Sequence, residues 1–369
     1  MQQTFIGLMS GTSLDGVDGV IAEFSDPKPR VLRHVALPFD TGLKEELTSL
    51  NSRGDDELHR AALAANQLAR RYAQVVESLL ESTGVTAVQI AAIGAHGQTV
   101  RHRPREFDGT GYTLQINNPA LLAELTGIPV IADFRSRDVA AGGHGAPLVP
   151  AFHRTVFADP GHDVAVLNVG GIANLSILGA NGHVTGFDCG PGNGMMDLWC
   201  QIRTGQPFDA DGAWAASGRV IGALLADLLA EPYFQLAPPK STGRDLFNAQ
   251  WLALRLSSFP QAAPADIQAT LNELTAASVE QSLAIHGLGC KTLVVCGGGA
   301  LNCHLMRRLA ALLPGVKVEN SAAHGLPPLQ VEATAFAWLA RQALLNRPTE
   351  LCKVTGARGD RVLGAVYPA

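Results

Sequence analysis

Charged residues make up only 17% of the 369-residue chain, and neither sign dominates: 28 Lys and Arg stand against 33 Asp and Glu, a net charge of −5. Such a balance carries no electrostatic footprint for nucleic acid. The short basic stretch Arg101, Arg103 and Arg105 reads as a solvated loop. No apolar run approaches the roughly 18 residues that a membrane span needs. The opening MQQTFIGLMSGTS lacks the basic and long apolar regions of a signal peptide, so a cytoplasmic protein without membrane partners is expected. Cysteines number only six (Cys189, Cys200, Cys290, Cys296, Cys303 and Cys352), with no CxxC pair and no zinc-like spacing to histidine. Buried, reduced thiols are expected of them. The absence of GxxxxGK[ST] and of GxGxxG argues against a P-loop and against a dinucleotide-binding Rossmann turn. Ser10 and Ser13 lack the GxSxG elbow, which disfavours a covalent nucleophile.

What the chain does have is an apolar fraction of 47% and 39 glycines that fall in short bursts beside apolar runs. The length predicts two domains, placed at 1–138 and 139–369. Residues 4–24 read as strand, glycine turn, strand, and residues 164–178 repeat the pattern about 160 residues later. A long helix is predicted over 55–83. Asp55 and Asp56 would cap it, Leu58, Leu63, Ala69, Tyr72, Val76 and Leu79 would form its apolar stripe, and Gly84 would close it. Strands are predicted at 90–93, 129–133, 184–187, 292–296 and 316–319. Helices are predicted near 118–126, 193–203, 218–230, 266–286, 300–312 and 331–345. The repeat suggests two similar α/β domains with a central cleft, a common place for a ligand.

Phosphate oxygens need converging N–H donors with no Cβ in the way, and glycine turns supply them. Three bursts qualify. The first is Ser10-Gly-Thr-Ser-Leu-Asp-Gly16, where Gly11, Thr12 and Ser13 offer donors and Asp15 can hold a magnesium ion through water. The second runs from Asn168 through Gly170 and Gly171 to Asn174. The third is Gly297, Gly298 and Gly299, followed by Asn302. Each alone reads equally as an ordinary tight turn. Together they resemble the nucleotide cleft of actin-like ATPases.

A more specific resemblance follows from GLMSGTSLDGVD (7–18), NVGGIANLS (168–176), FDCGPGN (187–193), FDADGAWAASG (208–218), PPKSTGRDLFN (238–248), CGGGALN (296–302) and EATAFAWLA (332–340). In this order they resemble the signatures of the anhydro-N-acetylmuramic acid kinases, from residue 6 nearly to Pro368. The resemblance implies a two-domain, actin-like (ribonuclease H-like) α/β fold of duplicated mixed sheets, ATP with Mg2+, and a homodimer. It places Leu14, Gly16, Val17 and Asp18 with the first turn as nucleotide contacts. Three departures stand out: Cys189 for threonine, His144 for glutamine, and Asn117-Asn118 for Gly-Asp.

The resemblance also implies a substrate, 1,6-anhydro-N-acetylmuramic acid, and a role for Asp188 as the base toward a water attacking C1. By position alone, Asp188 before Gly-Pro-Gly is equally a turn former. Glu332, in the first turn of its helix, is a sugar contact or a dipole partner. The alternation in ADFRSRD puts Arg135 and Arg137 on one face of an extended segment, for a substrate carboxylate, a phosphate or a salt bridge. His96, Gln98 and Thr99 in GAHGQT are sugar-contact candidates, with a structural role open for His96. Lys240 is nucleotide-binding or structural, and Trp199, Trp214 and Trp338 are core. Two other readings stay open: a related kinase acting on a plain hydroxyl, and a nucleotide-gated binding protein.

Overall fold

The computed structural model describes residues 3–11, 13–25, 28–243 and 245–369. The chain packs as two compact units, Met1–Val156 with Gln330–Ala369, and Phe157–Leu329. This differs from the predicted boundary after residue 138 in two ways. The helix Pro150–Phe157 lies almost wholly in the first unit, and the last forty or so residues return to it. The return has a local cause: the apolar helix Val331–Leu344 lies on the first unit's sheet.

The first unit holds a six-stranded sheet made from β1 (Thr4–Met9), β2 (Gly16–Glu23), β3 (Arg30–Pro38), β4 (Ile90–Ala95), β7 (Val130–Ala132) and β13 (Ala365–Tyr367), in the order β13-β7-β4-β1-β2-β3. The hairpin of β5 (Gln98–Pro104) and β6 (Gly111–Ile116) stands as a separate two-stranded sheet. The second unit's sheet runs β10-β9-β8-β11-β12, from β8 (Asp163–Val169), β9 (Ile172–Leu178), β10 (Val184–Pro191), β11 (Cys290–Cys296) and β12 (Lys317–Asn320). In both sheets three antiparallel meander strands are followed by two parallel ones. The repeat predicted from the two glycine hairpins is thus a duplicated mixed α/β sheet.

The long helix spans Glu57–Thr83 and ends at Gly84, whose φ of 69° lets its N–H reach the Leu80 carbonyl. Its buried stripe runs from Ala64 through Leu68, Tyr72 and Val76 to Leu79. Leu58 and Leu63 are exposed, because Leu58 sits in the first turn before the stripe and Leu63 lies off it. Asp56 adopts a left-handed conformation and makes no side-chain cap bond, so the predicted aspartate cap is absent. Arg101 and Arg103 lie on β5, not in a loop; Arg101 pairs with Glu57, and Arg105 donates to the Gly142 carbonyl. Four cysteines are buried, whereas Cys303 is exposed and Cys352 partly so. Trp199 and Trp338 are buried, and Trp214 packs against the second unit's aromatic cluster. Among the described residues no helix is long and apolar enough to cross a membrane.

Glycine sets how closely the first unit packs. A Cβ on Gly7 of β1 would overlap the Ala333 carbonyl and stand 2.7 Å from the Ala337 nitrogen. A Cβ on Gly94 of β4 would overlap the Phe336 carbonyl. The neighbours are backbone and cannot swing aside. We expect Gly7→Ala to lower stability by about 1–3 kcal/mol, the usual range for overpacking, in urea unfolding. An unchanged midpoint would mean that the helix is free to shift outward.

Candidate active site

In the first unit, the β1–β2 turn is fastened to the chain between β4 and β5. Gly97 N–H donates to Tyr72 Oη (3.1 Å), and the Ser10 hydroxyl donates to the Gly97 carbonyl (3.0 Å) while standing 3.0 Å from Tyr72 Oη. Burial pushes the Tyr72 phenol up, so it stays protonated. Gln98 Nε2 donates to the Gly11 carbonyl (3.1 Å), and His96 Nδ1 lies 3.3 Å from the Ser10 carbonyl. Arg135 Nε and Nη2 donate to His96 Nε2 at 3.1 and 2.9 Å, which leaves the ring proton on Nδ1, facing Ser10. Burial, reinforced by Arg135, lowers the His96 pKa to about 3. Arg135 also donates to the Gly145 carbonyl at 2.7 Å. The segment after it is the helix Ser136–Ala140, not an extended strand, so Arg135 and Arg137 do not share the predicted face. Arg137 instead donates to the Val362 carbonyl.

In the second unit, glycine turns at one end of the sheet interlock. The Gly170 carbonyl accepts from Asn193 N–H (2.8 Å), and the Gly171 carbonyl accepts from Gly192 and Gly194 (3.0 and 3.1 Å). Gly297, at φ 76°, lies so close to β8 that a Cβ would overlap Asn168 Oδ1, and one on Gly299 would overlap Val169. Asn168 also accepts from the Cys296 thiol at 3.7 Å. Asp188 sits on β10 opposite Asn174, where the register shifts between Asp188 and Gly190. Such bulges re-aim side chains. The chain at 238–242 holds this aspartate. Asp188 N–H donates to the Lys240 carbonyl (3.2 Å), Thr242 N–H donates to Asp188 Oδ2 (3.0 Å), and Tyr233 Oη donates to the Asp188 carbonyl (2.9 Å).

The sequence model of the anhydro-N-acetylmuramic acid kinase family matches residues 3–369. The chain belongs to this family. The anhydro-N-acetylmuramic acid kinase of Variovorax paradoxus is 64% identical, covering 100% of this chain and 99% of its own length. That of Albidiferax ferrireducens is 61% identical, covering all of both chains. Among solved structures, component A of the (R)-2-hydroxyglutaryl-CoA dehydratase of Acidaminococcus fermentans aligns over 90% of this chain and 96% of its own, at 14% identity and a TM-score of 0.49.

The residues singled out in this kinase from its sequence fall into two groups. Gly11, Ser13, Leu14, Asp15, Gly16, Val17, Asp18, His96, Gln98, Thr99, Arg135, Arg137 and Glu332 lie in the first unit. Asn168, Gly170, Gly171, Asp188, Gly297, Gly298, Gly299 and Asn302 lie in the second. Thr12 lies outside the described residues. Several have structural work. The Leu14 and Val17 side chains are buried in the core. Gly16 lets β2 approach the Leu37 carbonyl of β3. Asp18 pairs with His34 Nε2 at 2.8 Å, and Asn302 caps the helix Cys303–Leu312 through Leu305 N–H. Thr99 accepts from Gln115 Nε2 at 3.2 Å. Gly11 has no positive φ and only ordinary contacts for a Cβ, so the turn itself does not demand glycine there. Asp15 is exposed and accepts from Ser13 Oγ at 2.8 Å. Among the described residues no three His, Cys, Asp or Glu side chains gather as a metal cluster. One exposed carboxylate on a turn is the hard-oxygen donor that suits a largely hydrated magnesium ion. Sequence reasoning missed Tyr72 and Tyr233, which look like core tyrosines in an apolar stripe and an aromatic run. It also missed Thr242, whose part is played by its backbone.

His96 and His102 carry a pH signature. The His102 pKa is lowered to about 4, first by burial and then by Arg135. Between these folded values and the ordinary 6.5, the unfolded chain binds protons that the folded one does not. Stability is therefore lost as pH falls below about 6.5, by up to about 1.4 kcal/mol per pH unit for each such histidine. We expect His96→Gln to flatten that slope in urea unfolding followed against pH. An unchanged slope would mean that His96 takes up its proton in the folded state.

Proposed function

We propose that this kinase converts 1,6-anhydro-N-acetylmuramic acid, water and ATP into N-acetylmuramic acid 6-phosphate and ADP, as a step in cell-wall recycling. The observation that carries the reading is family membership along almost the whole chain, with Asp188 held through both its backbone and its carboxylate. Asp188 takes a proton from a water whose oxygen bonds to C1. The C1–O6 bond breaks, and O6 bonds to the γ-phosphorus as ADP leaves. Asp188 then releases the proton to solvent. Family membership supports ATP as the phosphoryl donor. The β1–β2 turn and the turns at Gly170, Gly171 and Gly297–Gly299 would bind its phosphates and adenosine through backbone N–H groups. Mg2+ held near Asp15 would neutralise phosphate charge.

Gln98, Thr99, Arg135 and Glu332 are proposed as sugar contacts. His96 is proposed to work mainly by orienting Arg135 and the Ser10 carbonyl. A cytoplasmic homodimer belongs to the same proposal.

The test is Asp188→Asn, which keeps the shape of the side chain and removes its basicity. We expect a folded protein that still binds ATP and whose turnover falls by about 100- to 10,000-fold in a coupled ADP assay. Near-normal turnover would reject Asp188 as the base.

A further inference from the structure

The helix Val331–Leu344 carries Glu332 in its first turn and two arginines around its other end. It stops in a Schellman turn. Asn346, at φ 52°, bonds its N–H to the Ala343 carbonyl (3.0 Å), and the Arg347 N–H reaches back to the Gln342 carbonyl (2.9 Å). The turn thus folds Arg347 back toward the last turn of the helix, where Arg341 and Gln342 stand. A cavity of about 380 Å³ opens there, and Arg341, Gln342 and Arg347 all line it. Its other wall is Gln3, just before β1, with Phe24 and Ser25, just after β2. Arg341 is half-buried, with its guanidinium carbon 5.7 Å from the Phe24 ring centroid. Phe24 is buried and packs edge-on against Phe5 at 5.8 Å, so the ring that steadies the guanidinium is itself fixed. From Glu332 to Arg341 the helix rises about 14 Å, so the cavity is separate from the proposed sugar contact.

Neither arginine has a counter-ion. Among the described residues neither Arg341 nor Arg347 makes an ion pair or donates a side-chain hydrogen bond. The described carboxylates closest in sequence to the cavity wall are engaged elsewhere, Glu23 with Arg30 at 2.6 Å and Glu350 with Arg154 at 2.7 Å. Asp26 lies outside the described residues. The Arg341 pKa is lowered, first by burial and then by Arg347. Gln342 is only 8% exposed, and its amide has no hydrogen-bond partner among the described residues although it lines the cavity. A buried amide left without a partner is costly. Thr155, also on the wall, spends its hydroxyl on the Ala151 carbonyl (3.2 Å). We propose that this cavity binds a phosphate group, free or carried on a small ester. The two guanidiniums supply forked N–H donors and the opposite charge, and the Gln342 amide supplies a further donor. One fork satisfies a carboxylate, whereas two can bracket a tetrahedral dianion. The volume falls within the range of small-molecule sites, which leaves room for the body of an ester. The site stands on its own residues and not on the reading of Asp188.

The test is calorimetric titration of the full chain with inorganic phosphate and with glucose 6-phosphate, in saturating ADP so that the nucleotide turns are already filled. We expect at least one probe to bind, and Arg341→Gln and Arg347→Gln each to weaken it by about tenfold or more. Arg347 is exposed, so its substitution leaves the packing intact and carries the test if the Arg341 variant does not fold. Asp188→Asn should leave the binding unchanged. Equal affinity for the two probes would mean that the phosphate group alone is read, and tighter binding of the ester that its body is held as well; either result sustains the site. No binding of either probe, or binding untouched by both arginine variants, would overturn it. Asp26→Asn closes the remaining route. If a probe binds only in that variant, the chain neutralises its own arginines and the cavity is not a ligand site.

Discussion

Where the helix Val331–Leu344 crosses β1 and β4, the contact is backbone against backbone. Gly7 and Gly94 face the Ala333 and Phe336 carbonyls with no room for a side chain between them. Helix and sheet can approach this far only when one surface lacks Cβ atoms and the other carries small ones, here Ala333, Ala337 and Ala340. The consequence is topological. The C-terminal segment must return to the first unit to cover this bare stripe, which places Glu332 at the start of a helix seated on β1. In the second unit the same freedom lets Gly192, Gly194, Gly297 and Gly299 nest against the Asn168–Gly171 turn. Glycine thus serves packing as well as any ligand.

That double use explains what the sequence reveals and what it hides. The two glycine hairpins and the apolar runs beside them are legible, so the duplicated sheets and most helices can be placed. The glycine bursts do not say which residue meets a phosphate. Gly16, Gly297 and Gly299 are needed by neighbouring backbone or side chains, whereas Gly11 is not. The β3 strand and the β5–β6 hairpin escape notice because β3 is half-buried without clean alternation and β5 carries Arg101, His102 and Arg103 in succession. The Arg135–Arg137 segment misleads for a similar reason: a five-residue helix is too short to show a period.

Asp188 was legible as a residue, but the group that holds it was not. Thr242 acts through its amide, Lys240 through its carbonyl, and Tyr233 through a hydroxyl some 45 residues away in sequence. None of these leaves a local pattern. Together they address a geometric need of the proposed reaction, since a carboxylate that takes a proton from water has to be fixed in place. In the first unit His96 is held in a comparable way. There burial and Arg135 keep a histidine neutral, so that it orients its neighbours without carrying charge.

The central claim is that one aspartate directs water to carbon while the freed O6 takes the phosphoryl group. Turnover of the anhydrosugar with ATP in oxygen-18 water tests it directly, with the product analysed by mass spectrometry and phosphorus NMR. The account predicts label at C1 of the product sugar and none in its phosphoryl group. Label in the phosphoryl group would mean that ATP hydrolysis and ring opening are separate events, and would contradict it.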